Sequence, residues 1–458
     1  MVNFTSIEFI FRFLPIFLIA YYFTPIKYKN LVMVIGSLIF YAFGEPIFVG
    51  LLIVLTLINH YLGHLCFINE GYENTEFRKK RQKLCLIFSL VLDIVVLIVF
   101  KILDTYVNRV LFPLGISFYI FKMISYQIDI YRNEVVMQPS LMDTAAYFTM
   151  FPQVIQGPIV RYEDSEIFNE KKMTLSSIED GLRYFIVGFA MKVALADRIG
   201  ILFNDLSMYG YQSISSPLAW LGAFAFSFEL YFDFWGYSLM SSGILVALGY
   251  EFYENFDQPY SSKTISEFYR RWHITLGAFF RDYIYFPLGG SRGDTLRTTL
   301  NLMLVWAITG IWHGNGYNYL IWGVVLGSII VLEKLFYGQK LQDLPVLGNV
   351  YVCIIIPLTW MIFAIEDIND LGIYFSRLFP IFKTPSDVII NHGDFMQYLG
   401  NYWYLFIIAI VLCIPKVTEI FRKYKKNIIV TILLFVLFWY SVYFSASKAV
   451  NPFMYLKF

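Results

Sequence analysis

Long apolar runs recur along this chain of 458 residues, and they constrain its fold more than any other feature. A helix that crosses a bilayer needs about 20 mostly apolar residues. Charged residues make up 15% of the chain, whereas a soluble protein carries about 25%. Because the runs are not confined to one end, the sequence predicts an all-α polytopic membrane protein rather than a soluble domain with one anchor.

The apolar runs give the expected positions of the helices. We expect about 11 crossings, with an error of about two, together with re-entrant and interfacial helices, in a single membrane domain over residues 1–458. The short runs near 31–45, 144–160 and 299–312 are candidates for re-entrant or buried segments. The expected spans lie near residues 7–24, 31–45, 47–65, 84–103, 110–128, 144–160, 182–204, 217–233, 236–250, 299–312, 317–336, 350–366, 402–419 and 428–446.

Two basic clusters indicate the orientation. One lies at residues 78–83 and the other at residues 422–426, and the positive-inside rule places both in the cytoplasm.

Three polar segments are harder to assign to spans. Residues 161–181 are mixed in charge and predict an interfacial helix, residues 273–290 predict a half-inserted helix that a Pro-Leu-Gly-Gly turn ends, and residues 367–400 predict an exposed loop or surface helix.

Two of the five histidines carry the strongest chemical signal. His273 follows Trp272 and the pair Arg270-Arg271, and His313 lies between Trp312 and Gly314. Imidazole titrates near neutral pH, and ionisable residues at membrane depth are costly and usually functional. Each histidine also has a structural interpretation, as a packed side chain or as part of an interfacial flank. Together they favour a catalytic site within the bilayer.

Charged residues inside apolar segments suggest ion pairs. Glu229 and Asp233 are four residues apart and share one face of a helix, and nearby arginines are candidate partners. Structural pairing is favoured over a proton relay. Asp129 and Arg132, three residues apart, are a second candidate pair.

The four cysteines show no metal-ligand spacing and are interpreted as packing residues. The net charge of +1 argues against a nucleic-acid partner.

Six sequence blocks, taken in order, resemble the membrane-bound O-acyltransferase family (MBOAT). The likeness is to its bacterial branch of alginate and peptidoglycan O-acetyltransferase membrane subunits. The blocks are PLGISFYIFKMISYQIDIYR (113–132), FPQVIQGPIVR (151–161), ELYFDFWGYS (229–238), ENFDQPY (254–260), EFYRRWHITLGAFFRDYIYFPLGGSR (267–292) and ITGIWHG (308–314).

The resemblance implies a fold built around a central tunnel with two active-site histidines. His313 matches the near-invariant catalytic histidine and His273 matches the second one. The sequence departs from the alginate-type pattern at Glu229, where glutamine is usual, at Leu239, where aspartate is usual, and at Leu326-Gly327, where a further histidine is often found. Candidates for lining the tunnel or binding substrate are Trp312, Trp272, Arg270, Arg271, Asp233, Tyr237, Gln153 and Asn315.

The resemblance also implies the reaction. An acetyl group from cytoplasmic acetyl-CoA, a substrate rather than a tightly bound cofactor, would cross the bacterial inner membrane for O-acetylation of an extracytoplasmic polysaccharide. An SGNH-type protein outside would be the partner, and no metal is required. His313 would act as base or carry the acyl group, and His273 would orient the thioester or stabilise developing charge.

Two other classes of protein fit part of the sequence. A transporter or flippase for a lipid-linked sugar would also have broken helices and intramembrane charges such as Lys192, Asp197 and Glu229, although no pair of matching halves is visible. A structural scaffold for a polysaccharide synthase would tolerate the loss of His313.

Overall fold

The computed structural model describes residues 3–67, 76–106, 112–135, 137–167, 172–380 and 389–447. Helices dominate these ranges, which confirms the all-α prediction, and their single β-type contact is an isolated bridge between Phe256 and Trp272. The α-helices are α1 Leu14–Phe23, α2 Lys29–Gly44, α3 Val49–Cys66, α4 Glu76–Tyr106, α5 Ile116–Tyr131, α6 Leu141–Thr149, α7 Phe151–Val154, α8 Leu175–Ala190, α9 Asp197–Tyr209, α10 Ser216–Ala247, α11 Ile265–Arg271, α12 Ile274–Phe280, α13 Thr295–His313, α14 Tyr317–Leu332, α15 Gly338–Asp343, α16 Pro345–Ala364, α17 Ile368–Leu378, α18 Asp394–Leu412, α19 Pro415–Tyr424 and α20 Ile428–Ser447.

Seven helices of the described chain are long and apolar enough to cross a membrane, so the protein is polytopic. About eleven crossings were expected from the sequence. The long helices α10 and α13 fall outside the seven because polar and charged side chains interrupt their apolar surface. The seven are Ile26–Gly44, Pro46–Cys66, Glu76–Tyr106, Tyr317–Asp343, Pro345–Ala364, Asp394–Leu412 and Ile428–Ser447.

Two predicted boundaries are wrong. The spans expected at 217–233 and 236–250 form one helix of 32 residues, α10. The helix continues through Gly236. The span expected at 402–419 ends at Leu412, and α19 begins after a turn at Pro415, because proline is favoured in the first turn of a helix and disfavoured in its interior.

The short runs have mixed outcomes. The run 31–45, a candidate for a re-entrant or buried segment, lies in Ile26–Gly44, which is one of the seven helices long and apolar enough to cross a membrane. The run 299–312 lies in α13, which is not among the seven. Residues 144–160 form two short helices and irregular backbone that is buried throughout, as expected for a buried segment rather than a span. Residues 161–167 form turns, residues 168–171 lie outside the described residues, and α8 begins at Leu175. In the segment 367–400, α17 is the expected surface helix, and residues 381–388 lie outside the described ranges.

The chain divides into two compact units. Counting only the described residues, the first comprises those from 3 to 188, 237–254 and 445–447, and the second comprises those within 189–236 and 255–444. In the first unit, helices α3, α4 and α5 pack against one another, and Phe4, Phe9, Phe40 and Phe151 form an aromatic cluster at its core.

In the second unit, α13 and α14 form the tightest helix pair. Gly310 on α13 faces the backbone of Tyr319, and Gly323 on α14 faces the carbonyl of Trp306. A side chain at either position would collide with the facing backbone, so these glycines allow the two helices to approach closely. This packing fixes the end of α13, where His313 is the last residue.

Four helical turns are of the wider π type, and three of them lie in the second unit. They are Phe9–Phe13, Met191–Ala196, Arg281–Tyr285 and Glu333–Tyr337. π turns are uncommon and are frequent at functional sites. Two of those in the second unit carry charged side chains, Lys192 and Glu333, that take part in the contacts described below.

Candidate active site

His273 lies between two short helices, α11 and α12, in a strained conformation. Its backbone φ is 46°, in the left-handed region, which costs a non-glycine residue about 1–3 kcal/mol. The segment 271–274 runs beside residues 255–257. The amide of Ile274 donates to the carbonyl of Asn255 at 3.0 Å, and the amide of Asp257 donates to the carbonyl of Arg271 at 3.0 Å. These pairings hold His273 in place.

The side chain of Asn255 selects the tautomer of His273. Asn255 Oδ1 accepts from the backbone amide of Thr275 at 3.3 Å and from its hydroxyl at 2.9 Å. The same oxygen lies 3.0 Å from His273 Nδ1. Since an amide oxygen can only accept, Nδ1 must carry the hydrogen. The neutral imidazole therefore presents Nε2 as a hydrogen-bond acceptor.

Burial favours the neutral form of the His273 imidazole. Only 3% of the residue is exposed, and burial lowers the pKa of His273 well below its ordinary value, with the charge of His313 acting in the same direction. The ring of Phe234 closes one side, edge to face, with 4.6 Å between the ring centroids. A buried neutral imidazole is able to take up a proton but has none to give from Nε2.

A carboxylate from a distant part of the sequence caps the helix that leads to His273. Glu333, in the π turn after α14, accepts from the amide of Ile265 at 2.6 Å. Its second oxygen accepts from the amide and hydroxyl of Ser266 at 2.8 and 2.6 Å. Thr264 caps the same end by accepting from the amide of Glu267 at 3.0 Å. These bonds satisfy amides at the helix start that have no partner within the helix.

His313 ends α13 inside an aromatic enclosure. The residue is 6% exposed. Its ring meets Trp312, Trp322 and Phe363, with 4.6, 5.2 and 5.3 Å between the ring centroids. Trp322 and Phe363 both approach nearly perpendicular to the imidazole. Such walls exclude water and keep the ring in one orientation.

Stacked aromatic rings connect the surroundings of the two histidines. Trp322 stacks on Trp360 with 5.7 Å between centroids, and Trp360 contacts Trp272, the neighbour of His273, at 5.1 Å. This chain of contacts links the surroundings of His273 and His313, and the charge of His313 acts to lower the pKa of His273.

Asp233 takes part in an ion pair rather than standing in isolation. Its Oδ1 lies 2.6 Å from Lys192 Nζ in the π turn Met191–Ala196, and Asp197 Oδ1 lies 2.6 Å from the same nitrogen. The side chains of Lys192 and Asp233 are 2% and 1% exposed. Structural pairing, favoured from the sequence, is therefore the arrangement found, with a lysine as the partner.

The other candidates from the sequence occupy varied positions. Arg271 is half-buried and pairs with Glu267 at 2.7 Å. Arg270 and Asn315 have exposed side chains, whereas Trp312 and Trp272 are buried. Gln153 and Tyr237 belong to the first unit. There Gln153 is buried and Tyr237 stacks on Phe4 with 4.8 Å between centroids.

Two residues that position the site, Asn255 and Glu333, were not identified from the sequence. Asn255 lies within the block ENFDQPY, which was noticed as a block only. Glu333 is 68 residues from the amide of Ile265 that it binds. One signal was available for Glu333, because a lone carboxylate in an apolar span needs a buried donor.

Comparison with known proteins gives consistent results. A sequence model of MBOAT, the membrane-bound O-acyltransferase family, matches residues 38–365. The chain is 36% identical over 395 residues to the probable alginate O-acetylase AlgI of Pseudomonas syringae pv. tomato, which covers 82% of this chain and 75% of that protein. It is 27% identical to the peptidoglycan O-acetyltransferase of Helicobacter pylori, over 98% and 96% of the two chains. The teichoic acid D-alanyltransferase of Streptococcus thermophilus is 28% identical over 50% of this chain and 58% of its own.

Proposed function

The chain belongs to the membrane-bound O-acyltransferase family, and from this premise we propose that it moves an acetyl group from cytoplasmic acetyl-CoA across the membrane for O-acetylation of an extracytoplasmic polysaccharide. That the protein is a membrane O-acyltransferase follows from the family and from the O-acetyltransferases among its relatives. The donor, the direction of transfer and the acceptor are the proposal.

One observation carries the chemical part of the proposal. The second unit holds two buried imidazoles, and one of them, His273, has its acceptor nitrogen defined by a neighbouring amide. Buried imidazoles that are neutral at working pH suit proton transfer from a hydroxyl, which is the step that acyl transfer to an alcohol requires.

In the proposed reaction, a hydroxyl oxygen of the acceptor attacks the thioester of acetyl-CoA. The acceptor oxygen loses its proton to an imidazole and forms a bond to the thioester carbonyl carbon. The carbon–sulfur bond then breaks, and the proton returns to the CoA sulfur. His313, at the end of α13 and enclosed by aromatic rings, is proposed as the base toward the acceptor hydroxyl.

The geometry modifies the role expected for His273. A donor to the developing oxyanion would need a hydrogen on Nε2, but Asn255 fixes the hydrogen on Nδ1. We therefore assign His273 to accepting a hydrogen bond, which orients the hydroxyl or relays its proton. Another group must therefore donate the hydrogen bond to the oxyanion.

The proposed acceptor and location rest on the relatives. Proteins that resemble this chain are named for acetylation of alginate and of peptidoglycan. Both polymers lie outside the cytoplasm, whereas CoA is made inside it, so an enzyme joining them would occupy the bacterial inner membrane. Because neither CoA nor a polymer enters a bilayer, we propose a tunnel for the acetyl group and an SGNH-type partner protein that completes the transfer outside.

The test is release of free CoA by the purified protein in detergent. Wild type, His313→Ala, His273→Ala and the exposed control His392→Ala would be given acetyl-CoA, with and without the co-purified partner and an alginate or peptidoglycan acceptor. We expect release by wild type and His392→Ala, with a loss of at least about a hundredfold in His313→Ala. Equal background in all four proteins under every condition would contradict the proposal and favour transport of a lipid-linked sugar.

A further inference from the structure

A carboxyl group lies at the centre of a membrane span in the first unit. Asp93 is near the middle of the apolar stretch 84–103 of α4 and is fully buried. Most other side chains of that helix face outward. An ionised carboxylate is costly at this depth unless it is well paired. The atoms around Asp93 show how the structure deals with this cost.

Two amides surround the carboxyl group, and all of their N–H hydrogens are in use. Asn59 Nδ2 donates to Asp93 Oδ1 at 2.9 Å and to the carbonyl of Leu55 at 3.2 Å. Gln127 Nε2 donates to the carbonyl of Asn59 at 2.8 Å and to Asn59 Oδ1 at 3.0 Å. Each N–H of the two side-chain amides faces an acceptor, and reversing either amide would place its oxygen against those acceptors, so these bonds fix the orientation of both amides.

This cluster contains more hydrogen-bond acceptors than it has donors to pair with them. Asp93 Oδ2 and Gln127 Oε1 are buried acceptors with no donor among the described residues. The four N–H hydrogens of the two amides are already committed. The cluster therefore has two acceptors left over and lacks a hydrogen or a cation. Leaving a buried acceptor without a partner costs about 1–3 kcal/mol, and more for a charged one.

We infer that Asp93 is a proton-binding site and is a neutral carboxylic acid in the working protein. A proton on Oδ2 removes the charge and supplies the O–H that the cluster lacks. The bonds from Asn59 to Asp93 and from Gln127 to Asn59 join α3, α4 and α5 at this site. Asp93 is not part of the acyl-transfer chemistry, so the inference does not depend on the proposed function.

A metal ion is a poorer occupant of the site. Sodium-like and divalent cations take about six oxygen ligands, whereas Asp93 Oδ2 and Gln127 Oε1 are the two acceptors of this cluster that lack a donor. The described residues also contain no group of three or more histidine, cysteine or acidic side chains suited to a metal.

Several other titratable groups on these three helices have described contacts away from Asp93. These contacts are His60 with Thr144, His64 with Gln138, the Cys66 thiol with the carbonyl of Gln82, Lys122 with the carbonyl of Tyr147, Asp129 with Ser125, and the ring of Tyr126 against Gly63. On α4 itself, Cys85, Lys101 and Asp104 lie two or more turns from Asp93. None of the described ion pairs includes Asp93, so no cation from these helices replaces the proton.

The test compares two substitutions in the full chain. Asp93→Asn keeps the shape and supplies an N–H in place of the O–H, whereas Asp93→Leu supplies neither a donor nor an acceptor. Thermal unfolding in detergent would be followed at neutral and at alkaline pH, in sodium and in choline buffers. Infrared spectra of wild type minus Asp93→Asn would report the carbonyl band of a carboxylic acid.

A bound proton predicts a specific pattern. At neutral pH Asp93→Asn should unfold at the wild-type temperature and Asp93→Leu well below it. At alkaline pH wild type should lose more stability than Asp93→Asn, because only wild type can ionise at this position. The infrared difference should contain the carboxylic acid band at neutral pH. Three results would each overturn the inference: Asp93→Asn as unstable as Asp93→Leu at neutral pH, no carboxylic acid band, or wild-type stability that requires sodium.

Discussion

At the scale of single residues, an uncharged neighbour determines which nitrogen of His273 is available for chemistry. Asn255 accepts from Nδ1 and adds no charge. An aspartate at the same place would fix the same tautomer but would also stabilise the imidazolium form. Because the Asn255 side chain is uncharged, it does not oppose the lowering of the His273 pKa that burial produces.

Asn255→Asp should shift the pH profile of CoA release. In wild type the pKa of His273 lies well below its ordinary value, so the neutral ring persists into mildly acidic solution and activity falls only below that lowered pKa. The new carboxylate should raise the pKa and move the acid side of the profile to higher pH. The measurement is the initial rate against pH, with Asn391→Asp on an exposed residue as the control. An unshifted profile would exclude His273 as the group that titrates.

The ion pair around Lys192 should matter for stability. Lys192→Met leaves the buried Asp233 and the partly buried Asp197 without their shared cation, and breaking a buried pair costs about 3–5 kcal/mol. Lys192→Met combined with Asp233→Leu should recover part of this loss, because the fully buried carboxylate is then gone and only the more exposed Asp197 lacks the cation. Thermal unfolding would measure both.

The matched control for this pair is the exposed pair Lys416–Glu419, whose side chains are 75% and 65% exposed. Lys416→Met should change stability by less than about 1 kcal/mol. If the double variant at Lys192 and Asp233 were less stable than Lys192→Met alone, the pair would have a role beyond neutralising charge.

At the scale of helices, Glu333 links the end of one span to the start of α11. Glu333→Gln should lose one acceptor oxygen and the negative charge at a helix start, which together cost about 1–3 kcal/mol. Because α11 leads into His273, CoA release should fall along with stability. Unfolding and initial rates would be measured for Glu333→Gln and for the exposed control Glu419→Gln. An unchanged rate in a destabilised Glu333→Gln would show that the cap supports the fold without positioning His273.

The sequence predicted those parts of the fold and site that depend on local pattern. Apolar length placed the spans at 47–65, 317–336 and 428–446 close to their observed bounds, and the buried character of 144–160 was expected from the shortness of its apolar run. The two spans expected at 217–233 and 236–250 form one helix, in which the buried Asp233 is paired with Lys192. Such a partner is 41 residues away in the chain.

The positioning of the histidines depends on long-range contacts that periodicity does not report. Asn255 reaches His273 across 18 residues, and Glu333 reaches Ile265 across 68. The histidines themselves were identified because imidazoles are rare in this chain, which contains five. Asparagine and glutamate gave no comparable signal, because their importance comes from the backbone and side-chain atoms that they meet in the folded protein.

At the scale of the whole molecule, the two basic clusters should lie on the same side of the membrane. Single cysteines at Lys80 and Lys423, both exposed, would be treated with a membrane-impermeant thiol reagent. The positive-inside rule predicts no labelling in intact cells and labelling after the membrane is opened. The parent chain, with its four cysteines, provides the background. Labelling of both positions in intact cells would reverse the proposed orientation. Labelling of only one position would place the two basic clusters on opposite sides of the membrane.

The length of α4 has a consequence for the lipids around the protein. Its apolar stretch 84–103 is about 30 Å long at 1.5 Å per residue, which matches the hydrocarbon core of a bilayer. Residues 76–83 add about 12 Å, so their five lysines and arginines reach the level of the phosphate groups. Each contributes about 1 kcal/mol of attraction to an anionic leaflet. In membranes poor in anionic lipid, the attraction that keeps this helix perpendicular to the bilayer should therefore be weaker. The tilt of α4 should then depend on the acidic phospholipid content of the host membrane.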